Sequence, residues 1–169
     1  MNYFEGRAGL KVGITGHRTL NDSAAWTWVR RELTALLRKT ARPLVGVTSL
    51  AIGADQMFAE IVLELEGDIE AVIPFPDYER TFDNELDLAN YRRLMAKSKH
   101  VEIQQNCVTE DEAYLKAGQR VAELSDLLIA VWDGQPARGL GGTADVVRYA
   151  AATGKRGVRL NPVSYRVEG

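Results

Sequence analysis

A chain of 169 residues, 46% hydrophobic and 26% charged, fits one globular domain, and without a secretory leader or an apolar run of ~18 residues it is expected in the cytoplasm with no membrane partner. The formal net charge of −2 argues against a surface that coats nucleic acid, which shows a basic excess, so no nucleic-acid partner is expected. A single cysteine, Cys107, with only His17 and His100 beside it, excludes both an intrachain disulfide and a Cys/His zinc site and points to a reducing compartment.

Short β-rich apolar runs alternate with longer amphipathic stretches. Lys11–Thr15 (KVGIT) reads as a buried first strand ending at Gly16. Asp22 or Ser23 then caps a helix on which Trp26, Val29, Leu33, Leu36 and Leu37 recur at helical spacing. Pro43 precedes a second strand, Leu44–Ser49, and a helix follows from about Ala54 with Met57, Phe58, Ile61, Val62 and Leu65 on one side. The third strand, Glu70–Ile73, stops at Pro74 and Pro76; a polar loop, Asp77–Asn84, leads to a helix through Leu88, Tyr91, Leu94 and Met95. Val101–Ile103 is a short strand candidate, and Ala113, Ala117, Val121 and Leu124 mark another helix. Asp126–Trp132 (DLLIAVW) is the strongest buried strand; the glycine-rich loop Asp133–Gly142 enters a helix from Thr143 to Thr153, which Gly154 ends. Gly157–Leu160 is the last strand. One Rossmann-like domain over residues 1–169 is expected, with its core at about 11–160 and tails at 1–9 and 161–169.

Continuous apolar strands each followed by a helix imply a parallel sheet covered on both faces. Right-handed crossovers make it doubly wound. Ligands in such folds sit outside the carboxyl ends of the strands, where the winding reverses, so the four loops after the strands carry the candidate site. In the first, Gly16-His17-Arg18, glycine permits a tight turn and Arg18 offers a permanent planar charge suited to phosphate; otherwise Arg18 is a surface arginine. The second, Ser49-Leu50-Ala51-Ile52-Gly53-Ala54-Asp55, brings backbone N–H groups toward a helix N-terminus, with Asp55 either a ligand acceptor or a helix cap. In the third, Pro74-Phe75-Pro76 leading to Tyr78 and Arg80, Phe75 or Tyr78 either stacks on a base or packs. The fourth, Asp133 to Thr143, holds Gly134, Arg138, Gly139, Gly141 and Gly142; its glycines stand before a helix whose free N–H groups and dipole favour an anion. Neither GxGxxG nor GxxxxGK[ST] is present.

Gly13-Ile14-Thr15-Gly16-His17-Arg18, Ser49-Leu50-Ala51-Ile52-Gly53-Ala54-Asp55, and Ile129-Ala130-Val131-Trp132-Asp133-Gly134 with Gly141-Gly142-Thr143-Ala144-Asp145 together resemble the SLOG superfamily. These are Rossmannoid proteins related to the LOG phosphoribohydrolases and the DNA-processing protein A family. The likeness runs from Lys11 to Leu160. It implies a pocket for nucleotide-derived ligands, in ligand sensors or N-glycosidic hydrolases, and a homodimer. LOG-type enzymes carry Pro-Gly-Gly-x-Gly-Thr-x-x-Glu with a catalytic glutamate. Counting from Thr143, that place falls on Val146, and Asp145, the candidate catalytic carboxylate, is rotated by about 100° on the helix. The place of their arginine falls on Ala117, with Arg120 one turn away.

The expected function is therefore binding of a phosphorylated, nucleotide-like small molecule, by a sensor rather than a strong catalyst. Gly16, His17, Arg18, Ser49, Gly53, Asp55, Pro74, Phe75, Asp133, Gly134, Arg138, Gly141, Gly142 and Thr143 would form the site. The alternative is an N-glycosidic hydrolase or transferase with Asp145 or Asp133 supporting an oxocarbenium-like transition state. A cluster of Asp55, Asp133 and Asp145 could hold Mg²⁺ beside a phosphate, although capping explains the same residues.

Overall fold

The computed structural model describes residues 9–137 and 139–169; Arg138 lies outside the described residues. Strand β1 (Leu10–Gly16) is followed by α1 (Ser23–Arg38), β2 (Leu44–Thr48), α2 (Ala54–Glu64), β3 (Asp68–Ile73) and α3 (Glu85–Lys97). Then come β4 (His100–Ile103), α4 (Glu110–Leu124), β5 (Leu127–Val131), α5 (Thr143–Ala152), β6 (Arg156–Asn161) and β7 (Arg166–Glu168). Local chemistry starts several helices where the sequence places them. Asp22 accepts from the Ala24 N–H, Asn84 from Asp87 and Thr109 from Glu112, each satisfying a donor that the first turn leaves open.

Two segments depart from the expectation. The polar loop Asp77–Asn84 contains a 3₁₀ turn, Tyr78–Thr81, and Tyr78 is fully buried. Its ring meets Phe75, Phe82, Tyr91 and Tyr114 edge to face. The area and quadrupole of one aromatic side chain outweigh the polarity of its neighbours. After β6 the chain turns back, with Asn161 Oδ1 accepting from the N–H groups of Val163 and Ser164, and pairs antiparallel as β7.

The sheet order is β4-β3-β2-β1-β5-β6-β7, parallel except at the last pair. From the central β1 the chain winds outward through β2, β3 and β4, then crosses to β5 on the other side of β1. On one face, Ile14, Leu33, Phe58, Leu94 and Ile129 pack under α1, α2 and α3. On the other, Val47, Val72, Val121, Leu128 and Val146 pack under α4 and α5. This is the doubly wound, mainly parallel α/β sheet that the alternation of strands and helices predicts. No helix among the described residues is long and apolar enough to cross a membrane.

Candidate functional site

The winding reverses between β1 and β5, and there a cleft of about 900 Å³ opens at the carboxyl ends of the strands. Gly16, His17 and Arg18 form one side. His17 ties this loop to its neighbours: its N–H donates to Val131 O (3.1 Å), its carbonyl accepts from Ala54 N–H (3.1 Å), and Nε2 accepts from Asp133 N–H (3.2 Å). Arg18, one residue on, is exposed at the mouth of the cleft and has no carboxylate within ion-pair distance among the described residues.

Ser49 and Asp55 line the cleft from the second loop. Gly53 does not; its φ is 85°, and a Cβ there would stand 2.4 Å from the carbonyl oxygen of Arg18. The glycine thus allows the head of α2 to seat against the first loop. Asp55 is only 7% exposed, and burial pushes its carboxyl up to about 7 against the opposing pull of the Ala51 and Ser49 N–H groups, the Thr48 hydroxyl and Arg18. The Tyr78 phenol below it is held above its ordinary value, first by burial and then by Asp55. Pro74 reaches the cleft from the third loop. Phe75 does not: it packs edge-on against Tyr78 and Tyr114, with the Arg80 guanidinium 5.3 Å from its ring centre. Stacking on a ligand base is thereby replaced by stacking inside the protein.

The fourth loop closes the cleft with Asp133, Gly141, Gly142 and Thr143. Gly134 faces Arg159 outside it. Gly141 has φ 85°, and a Cβ there would lie 2.6 Å from the backbone nitrogen of Leu115, so the loop lies directly on α4. Asp145 turns away from the cleft: Oδ2 accepts from Gly141 N–H (3.0 Å) and Oδ1 pairs with Arg148 (3.2 Å). The candidate catalytic carboxylate is a loop cap. Val146 and Ala117, at the places where the LOG resemblance puts a glutamate and an arginine, both line the cleft and are 2% and 1% exposed. Arg120 instead pairs with Glu102 on β4. With Ile14, Val121 and Ala144 they make an alkyl floor that neither carries charge nor moves a proton. Asp55, Asp133 and Asp145 do not converge, and among the described residues no group of three His, Cys, Asp or Glu is placed to hold a metal ion.

Helix α5 has no side-chain cap at its N-terminus, which leaves the first-turn N–H groups at Thr143 and Ala144 available to an anion; at α2 the Ala54 N–H is taken by His17 O and the Gln56 N–H by Ala51 O. Among the lining residues that sequence reasoning did not place in the site are Trp132 just after β5, Tyr114 on α4, and Val163 and Tyr165 of the β6–β7 turn. Tyr165 reaches the cleft by packing edge-on against Trp28 and donating to Asp22 Oδ2, contacts that no local pattern announces.

The sheet order and the cleft at its reversal define a Rossmann-like, doubly wound α/β protein. No protein-family model matches the chain, and no curated protein does. Two solved structures are similar to it in fold. One is DNA processing protein A from Streptococcus pneumoniae, with TM-score 0.63 and 20% identity over 89% of this chain and 50% of that one. The other is DNA processing protein A from Helicobacter pylori, described for its single-stranded DNA binding mode, with TM-score 0.62 and 18% identity over 89% of this chain and 64% of that one. The chain thus spans half of the first relative and under two thirds of the second. At the level of fold the SLOG resemblance holds.

These neighbours correct two expectations. They are DNA-processing proteins, one of them a binder of single-stranded DNA, so neither the small nucleotide-like ligand nor its N-glycosidic hydrolase alternative stands. The exclusion of nucleic acid falls with them. The physical error lay in using net charge, a whole-chain average, to judge a local surface: an overall −2 says nothing about the sign at the mouth of one cleft.

Proposed function

We propose that this chain is a single-stranded nucleic-acid-binding domain whose strand enters the cleft at the β1–β5 reversal. The observation that carries the reading is Arg18: an exposed guanidinium without a carboxylate partner among the described residues, lining the same cleft as the uncapped start of α5 and an alkyl floor. Phosphate oxygens find charge and N–H donors at the rim. The floor of Ala117, Val121 and Val146 suits the apolar face of an unpaired base and offers no group for chemistry on it. Double-stranded DNA keeps its bases stacked inside and gains nothing from such a floor. The fold likeness to DNA processing protein A supports the reading, as does the partial protonation of Asp55 near neutral pH, which lowers its repulsion of phosphate. A homodimer, implied by the SLOG resemblance, belongs to the same proposal and is read from the mass of the protein by light scattering.

The test is fluorescence anisotropy of a labelled oligothymidine titrated at several salt concentrations. Binding that weakens with salt is expected, with duplex a poor competitor. Arg18→Ala removes a charged contact worth about 1.5–3 kcal/mol, so affinity falls by about tenfold or more, and the slope of log K against log salt falls by about 0.7. No binding by the unaltered protein at low salt, or an unchanged affinity in Arg18→Ala, refutes the proposal.

A further inference from the structure

The segment from Lys155 to Gly169 holds Lys155, Arg156, Arg159 and Arg166 against Glu168 alone, a local +3 in a chain of net −2. This segment builds β6 and β7, the edge of the sheet on the β5 side of the cleft. Register fixes which of its side chains share a face. Arg159 lies opposite Glu168, and Asn161 lies opposite Arg166; residues two apart on a strand, and partners across an antiparallel pair, point the same way. Arg159 and Arg166 are therefore diagonal neighbours on one face, about 7–8 Å apart at Cα. Trp132 joins them there. Ala130 pairs with Arg159, and Trp132 follows Ala130 by two residues, which brings the Arg159 guanidinium to 5.5 Å from its ring centre.

The row begins inside the cleft, because Trp132 lines it. It ends on Arg166, which is exposed and meets no carboxylate within ion-pair distance among the described residues. Between the two, Arg159 pairs with Glu168, yet its Nε is buried with no acceptor. An aromatic ring followed by cations along a line is the pattern that holds a single strand, since the ring accepts any base and the cations track the backbone. Two acidic groups near the cleft are engaged away from this row: Asp133 Oδ1 accepts from the Gln135 N–H, and Asp145 accepts from the Gly141 N–H and pairs with Arg148.

We propose that a single strand leaving the cleft runs across the β6–β7 edge, stacking a base at Trp132 and passing its phosphates along Arg159 to Arg166. The inference rests on the proposed single-strand binding and adds a second subsite to it. It sets a site longer than the cleft alone, within the range of about 4–16 nucleotides that such folds cover.

Oligothymidines of about 4 and about 16 nucleotides separate the two subsites, with the shorter measured by competition. Arg166→Glu, an exposed change that leaves the cleft intact, is expected to weaken the longer oligomer by about tenfold or more, to lower its salt slope by about 0.7 or more, and to leave the shorter one unaltered. Arg18→Ala weakens both lengths. The longer oligomer should also quench tryptophan fluorescence, and that quench should vanish in Trp132→Phe while the quench of Trp26 and Trp28 by a soluble quencher persists. Equal loss for both lengths in Arg166→Glu, or no loss for the longer one, overturns the path while leaving the cleft reading in place. Failure of either oligomer to bind the unaltered protein overturns both.

Discussion

Asp55 makes the stability of the fold depend on pH in a direction opposite to that of most carboxylates. Burial raises its pKa from the ordinary 3.8 to about 7, so between these values the folded chain holds a proton that the unfolded chain has released. Stability therefore falls as pH rises from about 4 to about 7 and levels off above that. At about 1.4 kcal/mol for each tenfold change in proton affinity, the full span is worth about 4 kcal/mol, a large part of the 5–15 kcal/mol that typically holds a domain together. For a chain of this size it corresponds to a change of about 10 °C in melting temperature. The perturbation is Asp55→Asn, which keeps the shape and fixes the group neutral. Urea unfolding at pH 5, 6, 7 and 8 is the assay. The unaltered protein should lose stability across the series, and the variant should lose distinctly less. Parallel curves for the two proteins would refute the argument that burial dominates over the Ser49 and Ala51 N–H groups.

Gly53→Ala meets two penalties, a φ of 85° and a Cβ about 2.4 Å from backbone oxygen; a loss of roughly 2 kcal/mol or more is expected in urea unfolding, and a change under about 0.5 kcal/mol counts against the proposed seating of α2 on the first loop. Asp145→Ala removes the acceptor for Gly141 N–H and should cost about 0.5–2 kcal/mol of stability, much of it recovered in Asp145→Asn, which keeps an acceptor oxygen. If Asn restores nothing, the ion pair with Arg148 matters more than the cap.

Periodicity and punctuation were enough to read the architecture. The apolar runs KVGIT and DLLIAVW, the cap at Asp22 or Ser23, the stop at Gly154 and the helix after each strand imply a doubly wound parallel sheet, because a strand buried on both faces and a helix buried on one leave different repeats in the sequence. The candidate loops were also legible, since a parallel sheet sends every strand-to-helix loop to the same end. What each loop residue does was not. Asp145 and Val146 are neighbours in sequence, and only the direction of α5 against α4 decides that the carboxylate caps Gly141 while the methyl groups line the cleft. Phe75 carries the same ring whether it stacks on a base or on Tyr78; the packing of Tyr78, Phe82, Tyr91 and Tyr114 around it settles which. The basic edge shows the same division. Arg159 and Arg166 are seven positions apart and separated by a turn, and nothing local pairs them. Their shared face with Trp132 comes from the β6–β7 register and from β5 lying beside β6, contacts between distant segments that tertiary structure alone specifies.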